Sequence, residues 1–381
     1  MNVPKLRFSE FADEWQENQM NDIAKITMGQ SPNSENYTND SNDTLLIQGN
    51  ADLCNGEVIP RLFTKQITKT CDKEDIIMTV RAPVGDIAIS DYNACIGRGV
   101  CSIKSSKFIY HYLDYLKVKG YWKKISKGST IDSITSDNIK SLVIKTPSKK
   151  EQEKIIRTID LINKKIKLQT KKIETLKLFK SSQICIVLNK VEYKNAPLKD
   201  LGYFISGNPI GKGKITDNGT PVLLYGDLYT KYEEEINDVN QYIKENRKYV
   251  KSEEGDLIFP ISTTVDAISL ISPSVINISD VVYGGDLIIF KANKAIVNPK
   301  FLSYQINHLK KKEFSKKAQG STIIHIHEDD LLNSTVEIPN MKYQNTISNF
   351  GSTINKKIEL EKNRLDKLIL LKTGLLQNMF L

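Results

Sequence analysis

One half of the chain repeats the other. Gly128-Ser-Thr-Ile131 recurs as Gly320-Ser-Thr-Ile323, and Ile162-Asn-Lys-Lys-Ile166 recurs as Ile354-Asn-Lys-Lys-Ile358, at a single offset of 192 in 381 residues. The same gapless register pairs Asp137 with Asp329, Pro147 with Pro339, Gln152 with Gln344, Ile155 with Ile347 and Lys180 with Lys372. The earlier part of each half is kept more loosely: Asp22-Ile23 with Gly29 has a counterpart in Asp200-Leu201 with Gly207, and Leu46-Ile-Gln-Gly-Asn50 in Leu224-Tyr-Gly-Asp227. A chain built this way is two copies of one unit, and its fold must be read as a repeat before anything else.

The better-kept segment of each unit has the pattern of a long helix. After Pro147, Ser148-Lys-Lys-Glu151 reads as a capping box, with the Ser hydroxyl taking a first-turn N–H and the Glu reaching back for another. Apolar residues then fall at Ile155, Ile159, Ile162, Ile166, Ile173 and Leu176 in alternating steps of four and three. That narrow seam, flanked by wide lysine-rich faces, calls for a helical partner of similar length. The second copy starts at Pro339 with Asn340 as cap, and its seam is Ile347, Ile354, Ile358, Leu365 and Leu368; Gly351 and Gly374 weaken it locally. Two such helices paired antiparallel give an internal pseudo-twofold axis. Two separate amphipathic helices, each lying on its own domain, remain the alternative.

The globular parts read as mixed α/β. Strand-like runs at Asp75–Val80, Asp86–Ser90 and Val100–Lys104, and at Leu257–Ile261, Ala267–Ile271 and Leu287–Lys291, alternate with Gly, Asn and Pro turns. One helix per copy is expected, over 107–125 and 299–317. The expected architecture is therefore α+β. Residues 1–146 and 194–338 form two mixed α/β domains. They are separated by two long antiparallel coiled-coil helices within 147–193 and 339–381.

Charge points to a polyanion, and its distribution narrows the point. The net charge is +9, but Lys149–Lys180 carries 11 basic residues against 4 acidic, and Lys342–Lys372 carries 7 against 3. The remainder is near neutral, which argues against a chain that coats nucleic acid over its whole surface. The five cysteines are scattered with no CxxC pair, so neither a disulfide framework nor a cysteine zinc site is expected. No apolar run reaches the roughly 18–20 residues that span a bilayer, and the first residues read as no signal peptide. A cytoplasmic protein without membrane contact is expected.

Catalytic motifs are missing. Asn298-Pro-Lys-Phe301 lacks the second proline of an adenine-methyltransferase site, and no glycine-rich cofactor loop precedes it. Gly207-Asn-Pro-Ile-Gly-Lys212 is one residue short of a P-loop and has no Ser or Thr after the lysine. His325-Ile-His327 puts two imidazoles on one strand face, but no third ligand is evident, and no metal site is expected.

At this point the chain resembles a specificity subunit (S subunit) of type I restriction–modification systems, along essentially its full length. The residues that carry the resemblance are Val3-Pro-Lys-Leu-Arg-Phe8 with Asp13-Glu-Trp15 ahead of Asp22-Ile23. The Gly-Ser-Thr-Ile then Pro-x4-Gln ending of each copy adds to it, as does Leu370-Leu-Lys-Thr-Gly-Leu-Leu-Gln-Asn-Met-Phe380. The resemblance implies two target-recognition domains, each reading one half of a bipartite site on double-stranded DNA. It implies that the helices set an unread spacer and dock two modification (methyltransferase) subunits. S-adenosylmethionine then belongs to those subunits, and ATP and magnesium to restriction subunits that join them, with no cofactor on this chain. Tyr343 departs from the family's usual Glu, and Arg81 has Ser262 or a neighbour as its counterpart, so the two domains are expected to read different sequences.

From the residues themselves, Gln48, Arg81 and Arg98 are the candidate base readers of the first domain, Gln suiting adenine and Arg guanine. Ser206, Asn208 and Tyr225 are candidates in the second. Lys127, Ser129 and Thr130, with Gln319, Ser321 and Thr322, form matching loops that offer donors to phosphate, or else purely structural turns. The docking candidates are Gln152, Ile155, Ile162 and Ile166, with Gln344, Ile347, Ile354 and Ile358. A decoy scaffold that binds methyltransferase subunits without reading DNA, and a methyltransferase lacking the usual motifs, are the competing readings.

Overall fold

The computed structural model describes residues 3–126, 133–245 and 248–381. The chain forms two compact units: Met1–Thr170 together with Asn363–Leu381, and Lys171–Lys362. The helices Lys149–Leu188 and Met341–Met379 each contribute to both.

In unit 1 a six-stranded sheet runs in the order Lys25–Met28, Val100–Lys104, Ile76–Thr79, Ile87–Ile89, Glu57–Val58, Leu53–Cys54. A five-stranded sheet is centred on Thr44–Ile47, with Ala94–Ile96 parallel to it. Strands Ile76–Thr79 and Ala94–Ile96 are buried along their whole length. That explains apolar runs without alternation in these segments. Gln16–Gln19 pairs antiparallel with Val143–Thr146, so the chain enters and leaves the domain side by side.

Unit 2 repeats the plan with main sheets of five and four strands. Its five-stranded sheet has Leu287–Ala292 between Gly202–Ser206 and Leu257–Pro260, and Tyr193–Pro197 pairs antiparallel with Thr335–Pro339 as the entry and exit strands.

Three sequence expectations are corrected. Ala267–Leu270 is a short helix rather than part of a strand, because the Asp266 side chain accepts from Ser269 N at 2.8 Å and caps it. The helix expected over 107–125 breaks into Lys107–Val118 and Tyr121–Ser126 at Gly120, whose φ of 72° no helix allows. The one expected over 299–317 keeps its course but passes through a π-type turn at Ile306–Lys310, and it ends at Ser315.

Four of the six seam residues of the first long helix, Ile155, Ile159, Ile162 and Ile173, are buried, and Ile166 and Leu176 are half-buried. Ile155 and Ile159 pack in one core with Trp15, Phe108, Leu376 and Phe380. Ile184 and Leu188 share the core of unit 2 with Phe301, Tyr304 and Ile347. Within unit 2 the helices run antiparallel: Lys172 meets Glu361 at 2.8 Å and Lys180 meets Asn355 at 2.8 Å. Partner numbers fall along one helix as they rise along the other.

The capping box is half right. Ser148 Oγ accepts from Glu151 N at 3.4 Å, but the Glu151 carboxylate does not turn back. It takes Arg7 instead, Nε to Oε1 at 2.8 Å and Nη2 to Oε2 at 2.9 Å. A bidentate guanidinium is a stronger partner than a backbone N–H that water can serve. In the second copy Asn340 Oδ1 accepts from Tyr343 N at 3.2 Å.

Candidate nucleic-acid interface

Three turns of unit 1 are drawn together by backbone hydrogen bonds. Gly97 N donates to Ile47 O at 2.8 Å, which lays the Gly97–Gly99 turn against Gln48. Val80 N donates to Gly99 O at 2.9 Å and brings Arg81 alongside. Ile134 N donates to Val80 O at 2.8 Å, and Arg81 bridges to Ser133. Gln48, Arg81 and Arg98, far apart in sequence, thus share one cluster of turns. Both arginines are exposed, and neither makes an ion pair among the described residues. Gln48 is half-buried, and its N–H donates to Asp52 Oδ2 at 2.8 Å, which holds its turn. Two unpaired guanidiniums beside an amide, on rigid turns, suit bidentate recognition of base edges or phosphate.

Unit 2 builds the same cluster bond for bond. Gly284 N donates to Leu223 O at 2.8 Å, Ile261 N to Asp286 O at 3.0 Å, and Ile326 N to Ile261 O at 3.1 Å. Ser262 pairs with His325, as Arg81 bridges to Ser133. The packing is close enough to exclude side chains: a Cβ on Gly29 would sit 2.2 Å from Gly97 O, and one on Gly207 2.1 Å from Gly284 O. These two glycines are matched in the repeat for that reason. The equivalent bonds also make Leu224, and not Tyr225, the counterpart of Gln48, and Leu224 is buried.

The candidates of the second domain separate into three kinds. Asn208 is held by backbone. It is buried, its Nδ2 donates to Val250 O at 3.0 Å and Tyr283 O at 2.7 Å, and its Oδ1 accepts from Val250 N at 3.0 Å. Both amide hydrogens and one lone pair of Oδ1 are thereby committed to backbone. Ser206 is exposed at the end of its strand, and Tyr225 is exposed, edge-on to Tyr229 at 6.4 Å. Gln319, Ser321 and Thr322 are exposed on a turn closed by the reciprocal backbone bonds of Gln319 and His325, both 2.8 Å. Their counterparts Lys127, Ser129 and Thr130 lie outside the described residues.

The helix residues expected to dock partners are mostly spent inside the chain. Ile155, Ile162, Ile347 and Ile358 are buried, and Ile166 and Ile354 are half-buried. Gln152 Nε2 donates to Pro147 O at 2.9 Å and Gln344 Nε2 to Pro339 O at 2.9 Å. The Pro-x4-Gln spacing is therefore a junction device: the glutamine satisfies the carbonyl where strand turns into helix. Leu168 and Leu360, at 58% and 61%, and Leu178 and Leu370, at 70% and 72%, are pairs matched by the repeat among the exposed apolar residues of the two helices.

Sequence reasoning missed a polar cluster in unit 2. Lys180 is 2% exposed and meets both oxygens of Glu234, which His308 Nε2 approaches at 2.8 Å. The signal was available, since Lys180 falls seven residues after Ile173 and so on the seam. Among the described residues no cluster of three or more His, Cys, Asp or Glu side chains could hold a metal ion, and no helix is long and apolar enough to cross a membrane.

Comparison with known proteins agrees with this geometry. A type I restriction modification DNA specificity domain model matches residues 12–178 and again 190–369. The putative type I restriction enzyme MjaX specificity subunit of Methanocaldococcus jannaschii is 32% identical over 192 residues, 48% of this chain and 45% of that protein. The MjaIX specificity subunit of the same organism is 29% identical over 189 residues, 44% and 43% of the two chains. The matched stretch thus spans just under half the length of these curated relatives. A crystal structure of a type I restriction–modification S subunit from M. genitalium covers 100% of this chain, and 99% of its own is matched, with a TM-score of 0.60 at 17% identity. A chain from a structural study of type I R-M complex assembly and conformational transition has a TM-score of 0.55 at 16% identity, over 96% and 97% of the chains. At such identities the likeness establishes the fold.

Proposed function

The chain belongs to the type I restriction–modification DNA specificity family, and on that premise we propose that each unit reads one half of a bipartite DNA site through its cluster of turns. The observation that carries the proposal is the convergence of Gln48, Arg81 and Arg98 on one rigid cluster, with the same backbone scaffold rebuilt in unit 2 from different side chains. A shared scaffold with exchanged side chains is what two readers of different sequences require: base contacts specify, while phosphate contacts only position. Gln319, Ser321 and Thr322, and by the repeat Lys127, Ser129 and Thr130, supply phosphate contacts. Tyr225 and Ser206 flank the face in unit 2.

The reaction itself lies with partners. Two modification subunits dock on the long helices, bind S-adenosylmethionine and methylate an adenine flipped from the duplex. Leu168 and Leu360 support this docking, being exposed apolar residues at equivalent positions, as two copies of one partner would need. The helices fix the unread spacer between the half-sites. Restriction subunits add ATP- and magnesium-dependent cleavage, and the complex works in the cytoplasm.

The test combines the purified chain with its modification subunits and a pool of random duplexes, then maps methylated adenines by sequencing. A bipartite motif with fixed spacing is expected. Methylation without sequence preference, or none beyond that of the modification subunits alone, would leave the decoy-scaffold reading standing instead.

A further inference from the structure

Asp286 holds in unit 2 the place of Gly99 in unit 1. Gly99 O accepts from Val80 N at 2.9 Å, and Asp286 O accepts from Ile261 N at 3.0 Å. The preceding residues are Arg98 and Gly285. The same turn therefore presents a guanidinium in one unit and a carboxylate in the other. Arg81 is likewise replaced by Ser262, whose hydroxyl donates to Asp286 Oδ2 at 3.0 Å. Unit 2 has no arginine among its described residues, Arg247 alone lying outside them.

Asp286 is exposed, and no cation pairs with it among the described residues. On a face that meets DNA, phosphate repels such a carboxylate. Its remaining complement is a base amino group. In the major groove cytosine N4 donates without the adjacent N7 acceptor that adenine places beside its own amine, so a lone acceptor suits cytosine best. A backbone φ of 57° is left-handed, a conformation Asp tolerates better than most residues, and it projects the side chain from a turn fixed on both sides. We infer that unit 2 reads a cytosine amino group through Asp286, at the site where unit 1 reads guanine through Arg98. The inference rests on the specificity function proposed above.

The experiment maps methylated sites for complexes of the wild-type chain, Asp286→Asn and Arg98→Ala with the modification subunits. Asn accepts the left-handed backbone and keeps an acceptor for Ser262, so the fold is retained. For Asp286→Asn, preference for cytosine is expected to fall roughly 5- to 150-fold at one position of one half-site. Arg98→Ala should relax a guanine in the other half-site only. Three results would overturn the inference: no relaxed position in Asp286→Asn, an even loss over all sites, or relaxation in the half-site that Arg98 reads. A wild-type complex without sequence preference overturns the specificity function itself, and that outcome is read separately, before any variant is compared.

Discussion

Lys180 Nζ lies 2.7 Å from Glu234 Oε2 and 2.8 Å from Oε1, with both side chains almost wholly enclosed in unit 2. Asn355 Oδ1 takes a further Nζ hydrogen at 2.8 Å, and the Tyr304 ring lies 5.9 Å from the ammonium. A lysine on a helix seam is costly to desolvate, and only a fully met set of partners makes it tolerable. Its repeat counterpart Lys372 solves the same problem in unit 1 with Asp114 at 2.7 Å. Each seam lysine thus ties a long helix to the globular part of its own unit.

Removing one partner of the buried pair strands the other. Lys180→Met is expected to destabilise the chain by about 3–5 kcal/mol, since Glu234 then keeps only His308 and Asn355. Lys180→Met with Glu234→Leu should recover most of that loss. Urea unfolding midpoints of the single and double variants measure both, and a double variant as unstable as the single one would show that packing, and not charge, is what Lys180 supplies.

The same carboxylate sets an acid limit. Burial alone would raise the pKa of Glu234, but the His308 hydrogen bond and the Lys180 charge outweigh it and hold the group far below its ordinary 4.5. A carboxyl depressed in the folded state contributes stability that is present above its unfolded pKa and lost as pH falls toward the folded one. Wild-type stability should therefore decline below about pH 4.5, and Glu234→Gln should show a shallower decline from a lower starting point. Parallel slopes from pH 6 to pH 3 in urea melts would assign the acid sensitivity elsewhere.

Much of the architecture was legible because it is periodic. The seam from Ile155 to Leu176 and the strands at Ile76–Thr79 and Leu287–Ala292 follow from spacing and apolar runs alone. The clustering of Gln48, Arg81 and Arg98 was only half legible: residue type suggested them, but the bonds that join their turns link residues up to about fifty apart. Ala267–Leu270 misled because a short apolar run does not distinguish strand from helix, although Asp266 was a cap in plain view. The Arg7–Glu151 clamp could not be read at all, since it joins positions 144 residues apart with no local pattern. Asn208 shows the limit of residue type: it has the chemistry of a reader, yet it is buried and bonded to backbone through both ends of its amide.

That occupation is testable. Asn208→Ala leaves Val250 N, Val250 O and Tyr283 O each one partner short, at a cost of about 2–3 kcal/mol. Thermal melts should show the loss, while the methylated motif keeps both half-sites unchanged. A changed base preference in a variant that remains folded would return Asn208 to the reading face.

Two glycines on one helix should respond oppositely to the same substitution. Glycine inside a helix ordinarily costs about 1 kcal/mol relative to alanine, so Gly→Ala stabilises where space allows. At Gly374 a Cβ would meet no neighbouring atom within 4 Å, and Gly374→Ala is expected to gain about 1 kcal/mol. At Gly351 the Cβ would lie 2.3 Å from the Tyr304 ring. That ring cannot retreat, because its hydroxyl donates to Glu235 Oε1 at 2.5 Å and accepts from Asn355 Nδ2 at 2.9 Å. Overpacking there should outweigh helix propensity and destabilise by about 1–3 kcal/mol. For units of this size 1 kcal/mol moves Tm by roughly 2–4 °C, so the two variants should shift in opposite directions by a readable margin. Equal stabilisation of both would mean that Tyr304 does not pack on the helix backbone, and that Gly351 occupies a seam position for some reason other than that ring.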